Sequence, residues 1–169
     1  MPQELPIWTI FNPAQLSLLR GRAIDFPVNQ IAESRWQKLF DNLVFTMERA
    51  NGIGLAAPQI GISIRIMVIS AAVGRALTDP QWFINPTLSN PSPAQDTSEE
   101  GCLSIPGVYG LVPRAKAVSL RAFNRHGQLI NLTASDLFAR VIQHEVDHLN
   151  GRLFIDRAVS LTHGQELLP

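Results

Sequence analysis

The chain has 169 residues, 46% of them hydrophobic and 17% charged, enough to bury the core of one ordinary globular domain spanning residues 1–169. Fourteen basic and fourteen acidic side chains cancel, which removes any electrostatic case for direct nucleic-acid binding, or for an anionic membrane, over the whole surface. Met1–Glu4 lacks the basic start and apolar core of a signal peptide, and no apolar run approaches the ~20 residues of a membrane span, so a cytoplasmic protein with a reduced thiol is expected.

From Pro6 to Pro27 short apolar pieces alternate with breakers, and the segment reads as an irregular arm. Asn29 then looks like a cap for a core-facing helix over 30–50, where Trp36, Leu39, Phe40, Leu43, Val44 and Met47 recur at helical spacing until Asn51-Gly52 ends it. Gly52-Ile53-Gly54-Leu55 gives a backbone that other groups can approach closely, for a sharp turn or for a ligand laid alongside. Ala56-Ala57-Pro58-Gln59 follows. A strand is expected from Ile62 to Ser70, where apolar residues alternate, then a surface loop over 71–81 and a short strand from Trp82 stopped by Pro86. Ser89–Ser98 reads as loop, and 117–133 as a hairpin turning at Asn124-Arg125-His126-Gly127. His126 and His163 are expected to be solvated bystanders. Strands grouped before a long helix, without regular βαβ alternation, indicate an α+β fold of mainly antiparallel sheets around that helix, with a second helix near the N-terminus.

The long helix carries Gln143-His144-Glu145-Val146-Asp147-His148-Leu149, an HExxH sequence. A helix turns about 100° per residue, so His144 and His148 lie one turn apart on one face and can converge on one cation, with Glu145 beside them. Leu137, Val141, His144 and His148 share a stripe, so the ligand face continues the apolar face. Thr133–Asp136 resembles a capping box and Asn150-Gly151 a stop, which bounds about four turns. Two incidental histidines remain the simplest competing explanation. A catalytic site of this type needs a third ligand. The extended pattern HExxHxxGxxH would place it at 154, where Phe154 stands instead. Cys102, the single cysteine, in Glu99-Glu100-Gly101-Cys102-Leu103-Ser104, is the remaining soft donor, although most lone cysteines are small buried core residues.

Three segments, Gly52–Gln59, Glu100–Ser104 and Gln143–Leu149, occur in the order and spacing of the peptide deformylases, and the chain resembles that family over roughly residues 5–157. The resemblance implies a metal-dependent hydrolase that removes the formyl group from the N-terminal formylmethionine of nascent polypeptides and releases formate. Cys102, His144 and His148 would hold one divalent ion. Fe2+ is implied, although the donor set equally suits Zn2+, Ni2+ or Co2+. A metal-bound water would attack the formyl carbon with Glu145 as general acid/base, and the Gln59 amide and Leu103 N–H would stabilise the oxyanion. Ile53, Leu137 and Val141 match the methionine pocket, while Gly54 and Gly101 offer backbone to the peptide. Glu100 and Gln143 would orient the ligands and their loop from behind.

The chain departs from the family in three places. Tyr109 stands near the substrate where many bacterial members carry arginine, which changes recognition beyond methionine. The residues after Phe154 form no long basic C-terminal helix, so a transient ribosome contact by that route is in doubt. The arm before Asn29 matches only loosely. Two other classes compete: a zinc endopeptidase, which needs a third ligand downstream of the helix, and a non-catalytic binder of formylated N-termini, which has no use for Glu145 and Gln59.

Overall fold

The computed structural model describes residues 1–73 and 79–169. In chain order it contains α1 (Pro13–Leu19), α2 (Ser34–Arg49), β1 (Gly54–Ala56), β2 (Ile66–Ile69), β3 (Gln81–Ser89), β4 (Gln95–Cys102), β5 (Ile105–Ala115), β6 (Ala117–Phe123), β7 (Leu129–Ser135), α3 (Asp136–Leu149) and β8 (Ser160–His163). Two antiparallel sheets result, a five-stranded one in the order β1-β2-β3-β6-β7 and a three-stranded one in the order β4-β5-β8. β1 and β4 are therefore edge strands. The α+β class holds, with α3 packed across both sheets.

β2 shows why the large sheet lies where it does. All four of its residues are buried. Met67 and Ile69 enter one core with Val141, Ile142 and Val146 of α3, while Ile66 and Val68 enter another with Phe40, Leu43 and Met47 of α2. A strand covered on both faces is apolar throughout, and the alternation expected over Ile62–Ser70 gives way to Ile66–Ile69 alone. Ile64 and Arg65 instead make irregular bonds, Arg65 N–H donating to Ile24 O. A third cluster, Ile105, Val108, Val112, Leu153 and Phe154, lies under the small sheet.

Other boundaries shift for local reasons. The arm contains α1, capped by the Asn12 side chain with Pro13 opening the helix. α2 begins at Ser34 because Val28–Gln30 forms a separate short turn, so Asn29 caps nothing. β3 runs through Pro86 by means of a bulge between Ile84 and Thr87, with Asn85 at φ 51°. The expected loop over Ser89–Ser98 ends where β4 starts at Gln95. The 71–81 loop includes a short turn at Ala71–Val73 and the start of β3 at Gln81, and its central residues 74–78 lie outside the described residues. The 117–133 hairpin is present as β6 and β7. β7 passes into α3 without a loop, and Ser135 bonds the Asp136 carboxylate instead of completing a capping box. The tail contributes β8, a strand the sequence pattern did not announce.

Candidate metal centre

Cys102 ends β4, and His144 and His148 lie one turn apart on α3. Their donor atoms all fall within 4.8 Å of one another. Cys102 Sγ is 3.2 Å from His148 Nε2. Donors on a single tetrahedral ion stand roughly 3.5 Å apart, so a thiol and two imidazoles at this spacing need only a small adjustment to share a divalent cation. Among the described residues three buried side-chain polar atoms lack a hydrogen-bond partner, and two of them, His148 Nδ1 and Glu145 Oε2, belong to this cluster. The donor set and the unsatisfied carboxylate oxygen fit a metal with a water beside it.

The supports are charged and buried. Glu100 Oε2 is 2.9 Å from His144 Nδ1, which turns Nε2 of that ring toward the site. The same carboxylate accepts two bonds from Arg114, at 2.9 Å each, and one from Arg140 at 2.7 Å. Arg114 also pairs with Asp147, which Arg157 grips from outside. Burial alone would raise the Glu100 pKa, but the bonds from His144 and Arg114 override it and bring it to about 2. Burial lowers both imidazoles. It prevails at His148, whereas Cys102 and Glu100 outweigh it and raise His144. Gln143 does not reach a ligand. It bonds both backbone groups of Ala115, so it ties α3 to β5.

Glu145 is 4% exposed, and burial raises its carboxyl to about 7, a value suited to taking and returning a proton. Gly54 makes room for it, since a Cβ there would strike the carboxylate. Gln59 sits in the short turn after β1. Its Oε1 accepts from Ala56 N–H at 2.9 Å, which leaves Nε2 facing Cys102 Sγ at 3.6 Å and Ser104 Oγ at 3.3 Å. The amide orientation is thereby fixed with its donors toward the sulfur. Phe154, buried, stacks on His144 with ring centroids 6.4 Å apart. The residue that stands in place of a third histidine thus serves as packing.

A cleft of about 520 Å³ opens onto this cluster between the edges of the two sheets. Asn51–Gly54 line one wall, Gly101–Leu103 and Tyr109 the other, and Leu137 and Val141 the floor beside His144 and Glu145. Ile53, Leu137 and Tyr109 are each more than 40% exposed, so the rim presents apolar surface left open among the described residues. Gly101 is needed here as well, because a Cβ would meet the Tyr109 ring. His163, on β8, makes an edge-on contact with that ring and stands 3.8 Å from Glu99, so it borders the cleft; His126 is exposed in its turn. Ten of the twelve expected site residues line this cleft, and Gln59 and His148 stand against the Cys102 sulfur. Arg114, Arg140, Asp147 and Ser104 were not anticipated. An arginine in a strand and another on a helix carry no sequence signal of a shared carboxylate.

A family model described as polypeptide deformylase matches residues 12–163. The chain is 44% identical over 151 residues to a peptide deformylase of Halothermothrix orenii, covering 89% of this chain and 92% of that one. Among solved structures, it resembles a class I type b peptide deformylase of Acinetobacter baumannii with Met-Ala-Ser bound, at TM-score 0.85 and 31% identity, covering 93% of this chain and 99% of the other. The peptide deformylase of Thermotoga maritima is similar at TM-score 0.83 and 34% identity over 94% of this chain and 99% of that one.

Proposed function

The chain belongs to the polypeptide deformylase family, and from that membership we propose how its own residues carry out the reaction. It is a metal-dependent hydrolase that removes the N-formyl group from nascent peptides. The observation that carries the residue assignment is the convergence of Cys102, His144 and His148 beside a buried, unbonded Glu145 oxygen.

Cys102, His144 and His148 would hold one divalent cation, which when bound would supply an activated water near the formyl carbon. Glu145 accepts the proton released in that attack and returns it to the peptide nitrogen as the C–N bond breaks, leaving formate and a free amine. Gln59 Nε2 and the Leu103 N–H donate to the formyl oxygen as it gains charge. Glu100 holds the His144 ring, with Arg114 and Arg140 holding Glu100 in turn. The peptide lies between the free edges of β1 and β4, adding as a strand to Gly52–Gly54, with Gly101 giving close approach opposite. Its methionine side chain enters between Ile53, Leu137 and Val141. Backbone pairing serves any sequence after the methionine, which suits an enzyme that meets every newly made chain in the cytoplasm.

The cation we assign is Fe2+, from the family resemblance; the thiolate beside it makes the site sensitive to oxygen. Formate release from formyl-Met-Ala-Ser by protein prepared without oxygen tests the reading. Turnover that follows added Fe2+ supports it, and full cation loading without formate contradicts it.

A further inference from the structure

A cavity larger than the catalytic cleft lies elsewhere on the described residues. A groove of about 930 Å³ lies on another face of α3, against β3 and β6, and no residue lines both cavities. Six of the chain's fourteen basic residues line it, all arginines, with only two of the fourteen acids. Overall neutrality conceals this clustering, for the cleft at the metal centre is lined by three acids, Glu99, Glu100 and Glu145, and one arginine, Arg140.

Arg114 and Arg157 share the Asp147 carboxylate, and Arg114 also bonds both oxygens of Glu100. Arg22, Arg121 and Arg152 are exposed and make no side-chain hydrogen bond or ion pair among the described residues. Arg65 is 8% exposed, held by Leu149 O, Asn150 Oδ1 and Pro86 O, and among the described residues its one carboxylate partner is the exposed Asp25 at 3.6 Å. Burial lowers its pKa, Asp25 opposes, and the nearby Arg22 adds to the lowering. Three exposed guanidinium groups thus line one concavity without a carboxylate partner among the described residues, beside Arg65, whose own N–H groups are engaged by protein oxygens.

We propose that this groove binds the phosphate backbone of RNA. Guanidinium forks match phosphate oxygens, and the groove is several times larger than one phosphate requires. A protein partner would need an apolar centre, whereas Leu129 is the only large exposed apolar side chain lining it. The lining offers no exposed aromatic on which a base could stack, so recognition is of the backbone and indifferent to sequence. The choice of RNA among polyanions rests on the nascent-chain reading above, since chains under synthesis are surrounded by RNA.

The test is fluorescence anisotropy of a labelled 20-nucleotide single-stranded RNA with the cation-loaded protein, alongside the variant Arg22→Gln/Arg121→Gln/Arg152→Gln. With three phosphate contacts, affinity should fall about 20-fold between about 50 and 200 mM salt. The triple variant should bind at least tenfold more weakly while releasing formate from formyl-Met-Ala-Ser at the wild-type rate. Absence of binding at low salt, equal binding by the triple variant, equal affinity for duplex DNA, or displacement by inorganic tripolyphosphate at equal phosphate concentration would each overturn the proposal. Formate release is read separately, so failure here leaves the deformylase reading standing.

Discussion

Gly54 and Glu145 occupy complementary space: the carboxylate of Glu145 lies where a side chain on Gly54 would have to be. A strand and a helix far apart in sequence thus fix the position of one buried carboxylate between them. The glycine is required by the carboxylate it admits, in addition to the backbone pairing proposed for the peptide.

Gly54→Ala should therefore displace Glu145 and lower kcat by roughly 10²-fold, the lower range for loss of positioned proton transfer. Cation content, measured by elemental analysis, should stay at the wild-type level, because Cys102, His144 and His148 are not touched. Wild-type turnover in this variant would show that the carboxylate has room to spare.

Gln59→Glu keeps the acceptor for Ala56 N–H but replaces the donor that faces Cys102. Loss of one oxyanion donor lowers kcat by about 10²–10³. Steady-state kinetics should place the loss in kcat, with KM little changed. A change confined to KM would instead make Gln59 a ground-state contact.

Glu100 joins a ligand to two arginines, so Glu100→Gln should weaken cation affinity about 10–100-fold, read by competition with a chelator.

The same carboxylate links stability to pH. Its folded pKa is about 2 against an ordinary 4.5, so the stabilisation is complete above the unfolded value and is lost as pH falls from about 5 toward 2. A shift of that size corresponds to about 3 kcal/mol. In chelator-treated protein, where cation release contributes nothing, the stability difference between wild type and Glu100→Gln should narrow by that order over this range. Parallel pH profiles would contradict the linkage.

Much of the site was legible because its residues act at fixed local spacings. His144 and His148 at i and i+4 need only a helix to converge, and Gly52–Gln59 and Glu100–Ser104 are contiguous. The fold yielded less evenly. The β6–β7 hairpin announced itself by alternation around Asn124–Gly127, but β2 is buried on both faces and lost its alternation to α2 and α3. β8 pairs with β5 across some fifty residues, and Tyr109 opposite His163 has no local signature. The Glu100–Arg114–Asp147 network was hidden for the same reason, since it exists only after β4, β5 and α3 have come together.

The most direct measurement of the central claim compares formate release by wild type and Glu145→Gln, both loaded with Fe2+ in the absence of oxygen, in a single turnover of formyl-Met-Ala-Ser. In the proposed mechanism Glu145 carries the proton without holding the cation, so the variant should retain one equivalent of iron and lose at least about 10²-fold in the rate of the chemical step. A variant that keeps both its iron and its rate would show that the buried carboxylate beside His144 is not the base.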